Sequence, residues 1–267
     1  LIDDYAFYGC SSLSAVRLPD GLTEIGDYAF RGCVNMTGEA TLPEGLTKLG
    51  FGVFYNCTGL TGDVVIPDTV TDMGSYTFYG CSGLTGDFVI PEGVTKIGQY
   101  AFSSCSGLTD FTIPGIVTSI GQSAFYGCSG VTELAVGGFD TAKVKDMSFL
   151  FNGCSGVTEL DVSGFRTGEV TTMGAMFQNC TKLTELDLGG FDTQKVTDMG
   201  YMFKGCAALT ELDVSGFDTV RVGRMSNMFH GCENLTQLRL DGFKTGNVTD
   251  MYAMFAGCEG LTELNVS

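Results

Sequence analysis

The sequence predicts an α/β repeat fold, a solenoid with short parallel strands on one face and short helical turns on the other. Its eleven cysteines are regularly spaced: neighbours lie 23 or 24 positions apart from Cys10 to Cys128, and 26 positions apart from there to Cys258. Around each cysteine, apolar residues recur at spacings of mostly three or four, most clearly across residues 196–212. A fixed period of this size is typical of stacked repeats and outweighs any local pattern.

Each repeat begins with a short predicted strand. The segment ending at Ile66 alternates apolar and polar residues, as expected of a half-buried strand. Pro67 then ends the strand, and the following Asp68 and Thr69 favour a turn. The five prolines of the chain occupy this same position, at Pro19, Pro43, Pro67, Pro91 and Pro114.

A second short extended segment follows the turn, at residues 70–74, and residues 75–81 are then predicted to form a compact helical turn. Phe78 and Cys81 would face the core from this turn. A threonine beside the inward leucine, such as Thr184, recurs in nearly every repeat, and we expect it to support the strands.

The repeat type changes near residue 136. Residues 1–136 carry the shorter, proline-containing repeats, and residues 137–267 carry the longer, methionine-rich repeats. A second column of phenylalanines, beginning at Phe139, accompanies the longer connection. No linker-like segment separates the two parts, so we expect one continuous solenoid with its methionines in the core.

The cysteine pattern favours buried free thiols over disulfides. An odd number cannot pair completely, and one cysteine per repeat in the same register points parallel side chains into one core. CxxC pairs are absent and His230 is the single histidine, which argues against structural zinc.

The net charge of −17 argues against binding to nucleic acid or to anionic membrane surfaces. No apolar run approaches the roughly 20 residues of a membrane span, and no signal peptide is visible. Because the chain opens and stops inside repeats, we expect a fragment of a longer protein.

Two motifs resemble known repeats. Residues 108–128 (LTDFTIPGIVTSIGQSAFYGC) are similar to the BspA-type leucine-rich repeats of bacterial surface proteins. The second part, with FDTQKVTDMGYMFKGC at residues 191–206, resembles a related 26-residue repeat of bacterial surface proteins and lipoproteins. The resemblance implies a right-handed, leucine-rich-repeat-like solenoid, an extracellular surface location, and adhesion to host or matrix proteins. It implies no catalytic residues.

Outward positions of the predicted strands form an acidic column that we call the acidic strip. Its residues are Asp63, Asp87, Asp110, Glu133, Glu159, Asp161, Glu185, Asp187, Glu211 and Asp213. Like charges on neighbouring strands repel and disfavour pairing. We therefore interpret the strip as a recognition surface for a basic partner or as a weak surface site for Ca²⁺, with no dedicated metal site or cofactor. The alternative is that duplicated repeats copied a solvated acid.

Val65 and Val89 form a small outward apolar patch on the same predicted face. No metalloprotease, phosphate-loop, dinucleotide or nucleophile-elbow motif is present, so we do not expect an enzyme. The sequence favours an extracellular module that binds a protein or glycan through its strand face. The alternative is a structural spacer or a self-associating element of a fibre or surface layer.

Overall fold

The coils of the solenoid stack through parallel strand pairs. The computed structural model describes residues 1–37, 40–61, 64–137 and 139–264. Corresponding residues of neighbouring coils are 24 positions apart at Glu24 and Lys48, and 26 apart at Glu211 and Gln237. These are the repeat lengths that the cysteines predict, so the parallel-strand solenoid is confirmed.

The strands are short because each forms only one side of a coil and ends at the turns on either side of it. In chain order they are β1 Glu24–Ile25, β2 Ala40–Thr41, β3 Lys48–Leu49, β4 Val64–Val65, β5 Asp72–Met73, β6 Gly86–Val89, β7 Lys96–Ile97, β8 Leu108–Thr112, β9 Ser119–Ile120, β10 Glu211–Asp213 and β11 Gln237–Arg239.

Two ladders run along the stack. The first consists of the pairs β2–β4, β6–β8 and β10–β11, and we call its outer surface the strand face. The second consists of β1–β3 and β5–β7–β9. It continues in the second half as single parallel bridges from Asp146 through Thr172, Asp198 and Arg224 to Asp250. The second extended segment predicted in each repeat is thus present.

The predicted short helical turns are wrong, because the described residues contain no helix. Residues 75–81 form two successive tight turns, in which the Tyr79 amide donates to the Tyr76 carbonyl and the Cys81 amide donates to the Phe78 carbonyl, both at 3.1 Å. The amides of Phe78 and Gly80 instead donate to carbonyls of the next coil, both at 2.8 Å. In a helix these amides would donate to carbonyls of the same segment, whereas here they donate to carbonyls of the neighbouring coil.

We call the surface formed by residues 75–81 and the corresponding turns of the other coils the turn face. It depends on left-handed backbone at two positions of each coil. In the fourth coil they are Tyr76, with φ of 60°, and Gly80, with φ of 71°. Glycine adopts this conformation without steric cost, and asparagine tolerates it better than most residues. That preference explains why glycine precedes most of the cysteines and why Asn56 and Asn179 replace it in two coils.

One phenylalanine column forms a continuous stack through the core. The ring centroids of Phe151, Phe177 and Phe203 lie 5.9 and 5.7 Å apart, with nearly parallel rings. The same contact joins Phe7 to Phe30 at one end and Phe229 to Phe255 at the other. Buried residues from Leu22 to Met254 belong to one cluster. The change of repeat type near residue 136 stays a prediction.

The thiols form a second column beside the phenylalanines. Each thiol from Cys33 onward donates to the carbonyl of the phenylalanine in the preceding coil, for example Cys206 to Phe177 at 3.1 Å. All eleven cysteines are free and nine are buried, as predicted, but Cys10 is exposed and Cys258 is half-buried. Burial raises the pKa of Cys57 and Cys154 to about 12.

Most methionines of the second half lie in the core, as predicted, with Met199 and Met225 fully buried, but Met251 is exposed. Within the described ranges, the chain has no helix of the length and apolar character that would let it cross a membrane.

Candidate binding surface

The strand face brings the predicted acids into register. Asp87 pairs with Asp110 across β6 and β8, and Glu159 lies opposite Glu185 in an isolated parallel bridge. Nine of the ten acids are described: Asp110 is half-buried and the other eight are exposed. Asp63 lies outside the described residues. The described strip is therefore a solvent-facing surface that crosses successive coils.

The three aspartates of the strip in the second repeat type form hydrogen bonds to nearby backbone amides. The Asp161 carboxylate accepts the amide of Ser163 at 3.0 Å and its hydroxyl at 2.6 Å. Asp213 accepts the same two groups from Ser215 at 2.9 and 2.6 Å, and Asp187 accepts the amide two residues further on at 2.9 Å. These bonds close turns at the end of the strand. The hydroxyl and amide of Ser163 hold the pKa of Asp161 below its usual range.

The same bond recurs at two further positions of the second repeat type. In these turns, too, an aspartate accepts the backbone amide two residues later. The aspartates are Asp140, Asp192 and Asp218 before the second ladder, and Asp146, Asp198 and Asp250 on that ladder. The aspartates of this half therefore have a structural role, closing turns, that sequence reasoning missed. The signal was an aspartate that returns at fixed positions before a turn in several of the repeats.

The glutamates of the strip differ from the aspartates. The side chains of Glu133, Glu159 and Glu185, which we call the glutamate row, make no hydrogen bond or ion pair with any described residue. The row ends at β10 and β11, where Glu211 accepts the amide group of Gln237 at 3.0 Å. The glutamate row is thus a run of uncompensated charge on the strand face.

A basic residue neutralises the strip at its far end. Arg239 of β11 lies 3.5 Å from the Asp213 carboxylate, across the pair that joins β10 to β11. An open groove of about 630 Å³ runs beside these residues and is also lined by Glu185 and Asp187. Its walls carry four of the acids of the strip, so it would favour cationic groups.

A calcium site does not form among the described residues, because no three acidic, histidine or cysteine side chains converge there in a way that could hold a metal ion. Calcium takes six to eight oxygen ligands. Carboxylates in a row along separate coils present one group at a time, and the aspartate oxygens already accept backbone amides. The hypothesis of weak Ca²⁺ binding therefore gains no site from this geometry.

The apolar patch lies apart from the glutamate row. Val65 and Val89 expose 47% and 61% of their surface. Both line a groove of about 280 Å³ between β4 and β6. The side chains of Val64 and Phe88, which alternate with them, are buried in the core. The alternation that predicted this patch is therefore present in β4 and β6.

A tyrosine-rich surface on the turn face was not predicted. Tyr5, Tyr8, Tyr28, Tyr55, Tyr76, Tyr79 and Tyr100 contact one another in a network that crosses the first five coils. The Arg31 guanidinium lies over three of these rings, 4.7 to 5.3 Å from their centroids. Burial raises the pKa of Tyr76 and Tyr79. The rings cover one another's faces and so tie neighbouring coils together.

Several solved structures similar to this chain are bacterial leucine-rich repeat proteins. A leucine-rich repeat protein from Bacteroides ovatus aligns with a TM-score of 0.58 at 21% identity, over 98% of this chain and 75% of its own. The T. pallidum leucine-rich repeat protein aligns with a TM-score of 0.55 at 29% identity, over 64% and 78%. A leucine rich cell surface protein from Faecalibacterium prausnitzii gives 0.52 at 23% identity, over 97% and 81%.

The family comparisons match the two parts of the chain to two different families. Residues 1–132 match six copies of the BspA type leucine rich repeat region. Residues 119–213 and 204–267 match the family described as "Mycoplasma protein of unknown function, DUF285". No curated protein matches the sequence. The chain therefore belongs to the BspA-type leucine-rich repeat proteins in its first half and to the DUF285 family in its second half.

Proposed function

We propose that this chain is an extracellular, surface-displayed binding module that recognises a basic surface of a partner protein through its strand face. The observation that carries the proposal is the glutamate row. Glu133, Glu159 and Glu185 project from successive coils without any partner in the described structure.

Electrostatics favours an external cation at this row. Strands that pair lie about 4.8 Å apart, and two unit charges at about 4 Å repel by about 1 kcal/mol even in water. Glu159 and Glu185 face each other across one bridge. A partner that presents lysines or arginines would relieve this repulsion, and steering by the acidic field would raise its association rate.

The comparisons support a binding role. Leucine-rich repeat proteins are typically non-enzymatic binding proteins, and one structural relative is described as a cell surface protein. Adhesion to host, matrix or neighbouring-cell proteins or glycans is the role that fits such a module. No mechanism beyond surface complementarity is needed, because a rigid stack of coils presents its outward residues in fixed positions.

The test measures binding of the immobilised protein to a panel of extracellular matrix proteins and glycans at two salt concentrations. The informative variant is the double substitution Glu159→Lys/Glu185→Lys. Its matched control is Glu233→Lys/Glu259→Lys. This variant makes the same charge change at exposed positions outside the strip, each directly after a cysteine in the sequence. We expect saturable binding that weakens with salt, is lost in the first variant and survives in the control.

Two results would contradict the proposal. Equal loss of binding in both double variants would mean that only net charge matters and that the strand face has no special role. An absence of any partner, together with concentration-dependent self-association in sedimentation, would favour a structural spacer or fibre element instead.

A further inference from the structure

The strand face opens between β4 and β6. β4 pairs with β2, and β6 pairs with β8, but among the described residues no ladder joins β4 to β6. The groove of about 280 Å³ lies at this opening and is lined by both strands. Ligand pockets range from about 300 to 1,000 Å³. This groove lies just below that range, so it can take only a short segment.

On both walls of the groove, backbone groups have no ladder partner among the described residues. In other coils the ladder continues past the strand: the Ile90 amide donates to the Thr112 carbonyl at 2.9 Å, and Leu42 makes the same bond to its next coil. Ile66 holds the corresponding position, and its amide makes no such bond to a described residue. Because N–H groups alternate sides along a strand, the Ile66 amide faces β6, and the N–H and C=O of Val89 face β4.

The side chains around the opening define what could enter it. Val65 and Val89 offer exposed apolar surface at its mouth. Asp68, Asp87 and Glu92 add negative charge, and the lining includes no lysine or arginine. The groove therefore combines apolar contacts, free backbone groups and a negative rim.

We propose that the groove between β4 and β6 binds a short extended peptide segment in which apolar residues alternate with lysine or arginine. Each residue of an extended segment offers one backbone donor and one acceptor, which match the groups of Ile66 and Val89. Strand addition of this kind draws affinity from the main chain and specificity from alternate side chains. The proposal rests on the binding function above and names a peptide segment as the recognised element.

The test uses a fluorescein-labelled hexapeptide of alternating lysine and valine, with the glutamate–valine hexapeptide as the charge control. Binding to the full chain is followed by fluorescence anisotropy. Val89→Lys places a cation at the groove, and Thr112→Lys makes the same addition at the next position of the same outward column, where Val89 pairs with Thr112. We expect binding of the lysine–valine peptide to weaken at least about tenfold in Val89→Lys and to weaken clearly less in Thr112→Lys, whose charge lies one coil further from the groove.

A second readout separates strand addition from loose charge attraction. Hydrogen exchange followed by NMR should show that the peptide protects the Ile66 and Val89 amides. The inference is overturned if the lysine–valine peptide does not bind, if the two lysine variants behave alike, or if those amides gain no protection.

Failure of the inference can be told apart from failure of the proposed function. Glu159 lies three coils beyond Val89, roughly 14 Å along the stack, which exceeds the Debye length of about 8 Å at physiological salt. Glu159→Lys/Glu185→Lys should therefore leave hexapeptide binding nearly unchanged. Partner capture through the glutamate row without peptide binding overturns only the inference, and peptide binding without any captured partner overturns only the function.

Discussion

Removal of one ring from the middle of the phenylalanine stack should destabilise the protein strongly. Phe177 is fully buried, and its ring lies between those of Phe151 and Phe203 at centroid distances of 5.9 and 5.7 Å. Replacement of a buried phenylalanine by alanine costs about 3–5 kcal/mol, because apolar burial is lost and a cavity remains. We expect Phe177→Ala to fall in that range.

Phe177→Leu separates burial from ring stacking. Leucine keeps most of the apolar contact but loses two ring pairs, each worth about 0.5–1.5 kcal/mol, so we expect a cost of about 1–3 kcal/mol. Phe255 is the matched control, since it is half-buried and stacks on Phe229 alone. Urea unfolding followed by circular dichroism gives the comparison. The reasoning would be refuted if Phe255→Ala cost as much as Phe177→Ala, or if Phe177→Ala left the midpoint unchanged.

Two further predictions concern the thiols and the turn-closing carboxylates. A thiol reagent at pH 8 should label Cys10 at once, Cys258 slowly and the other nine only in urea, because those nine are buried. Burial also raises the thiol pKa, and at the value of about 12 for Cys57 about one thiol in ten thousand is ionised at pH 8. Rapid labelling of more than two thiols in the native protein would contradict this. Hydrogen bonds lower the folded-state pKa of Asp161 and Asp213, so their contribution to stability is present above the unfolded pKa of about 3.9 and is lost as the pH falls through the folded pKa. The melting temperature should therefore drop below about pH 4, and Ser163→Ala, which removes one of these bonds, should make that drop shallower than in the wild-type chain.

The periodic part of the fold could be read from the sequence because the period itself sets the stacking. The regular spacing of the cysteines set the coil length, and the inward Phe and Cys columns followed. The helical turn was predicted wrongly because inward residues three apart, such as Phe78 and Cys81, suit a helix and a double turn equally. The left-handed conformation of Gly80 and the hydrogen bonds to the next coil decide between the two.

The acidic strip was predicted as a surface but not as two kinds of carboxylate. Outward alternation identifies which residues face solvent, and it placed Glu159, Asp161 and Val89 there correctly. It does not predict the hydrogen bond from an aspartate to the backbone amide two residues later, because that bond depends on the turn that follows the strand. The tyrosine-rich surface was missed for a related reason, since Tyr76 and Tyr79 meet Tyr55 and Tyr100 only when neighbouring coils are stacked.

The difference between aspartate and glutamate decides where recognition should be sought. An aspartate carboxylate reaches the amide two residues on, as Asp161 reaches Ser163, so the demands of the turn account for aspartate at that position. In the glutamate row the described structure offers no such bond to Glu159 or Glu185, so the fold does not account for their charge. The row stops where β11 supplies Gln237 as a donor to Glu211. A partner that reads the charge of this face should therefore contact the coils before β11, and reversal of the glutamates tests recognition without removing a turn.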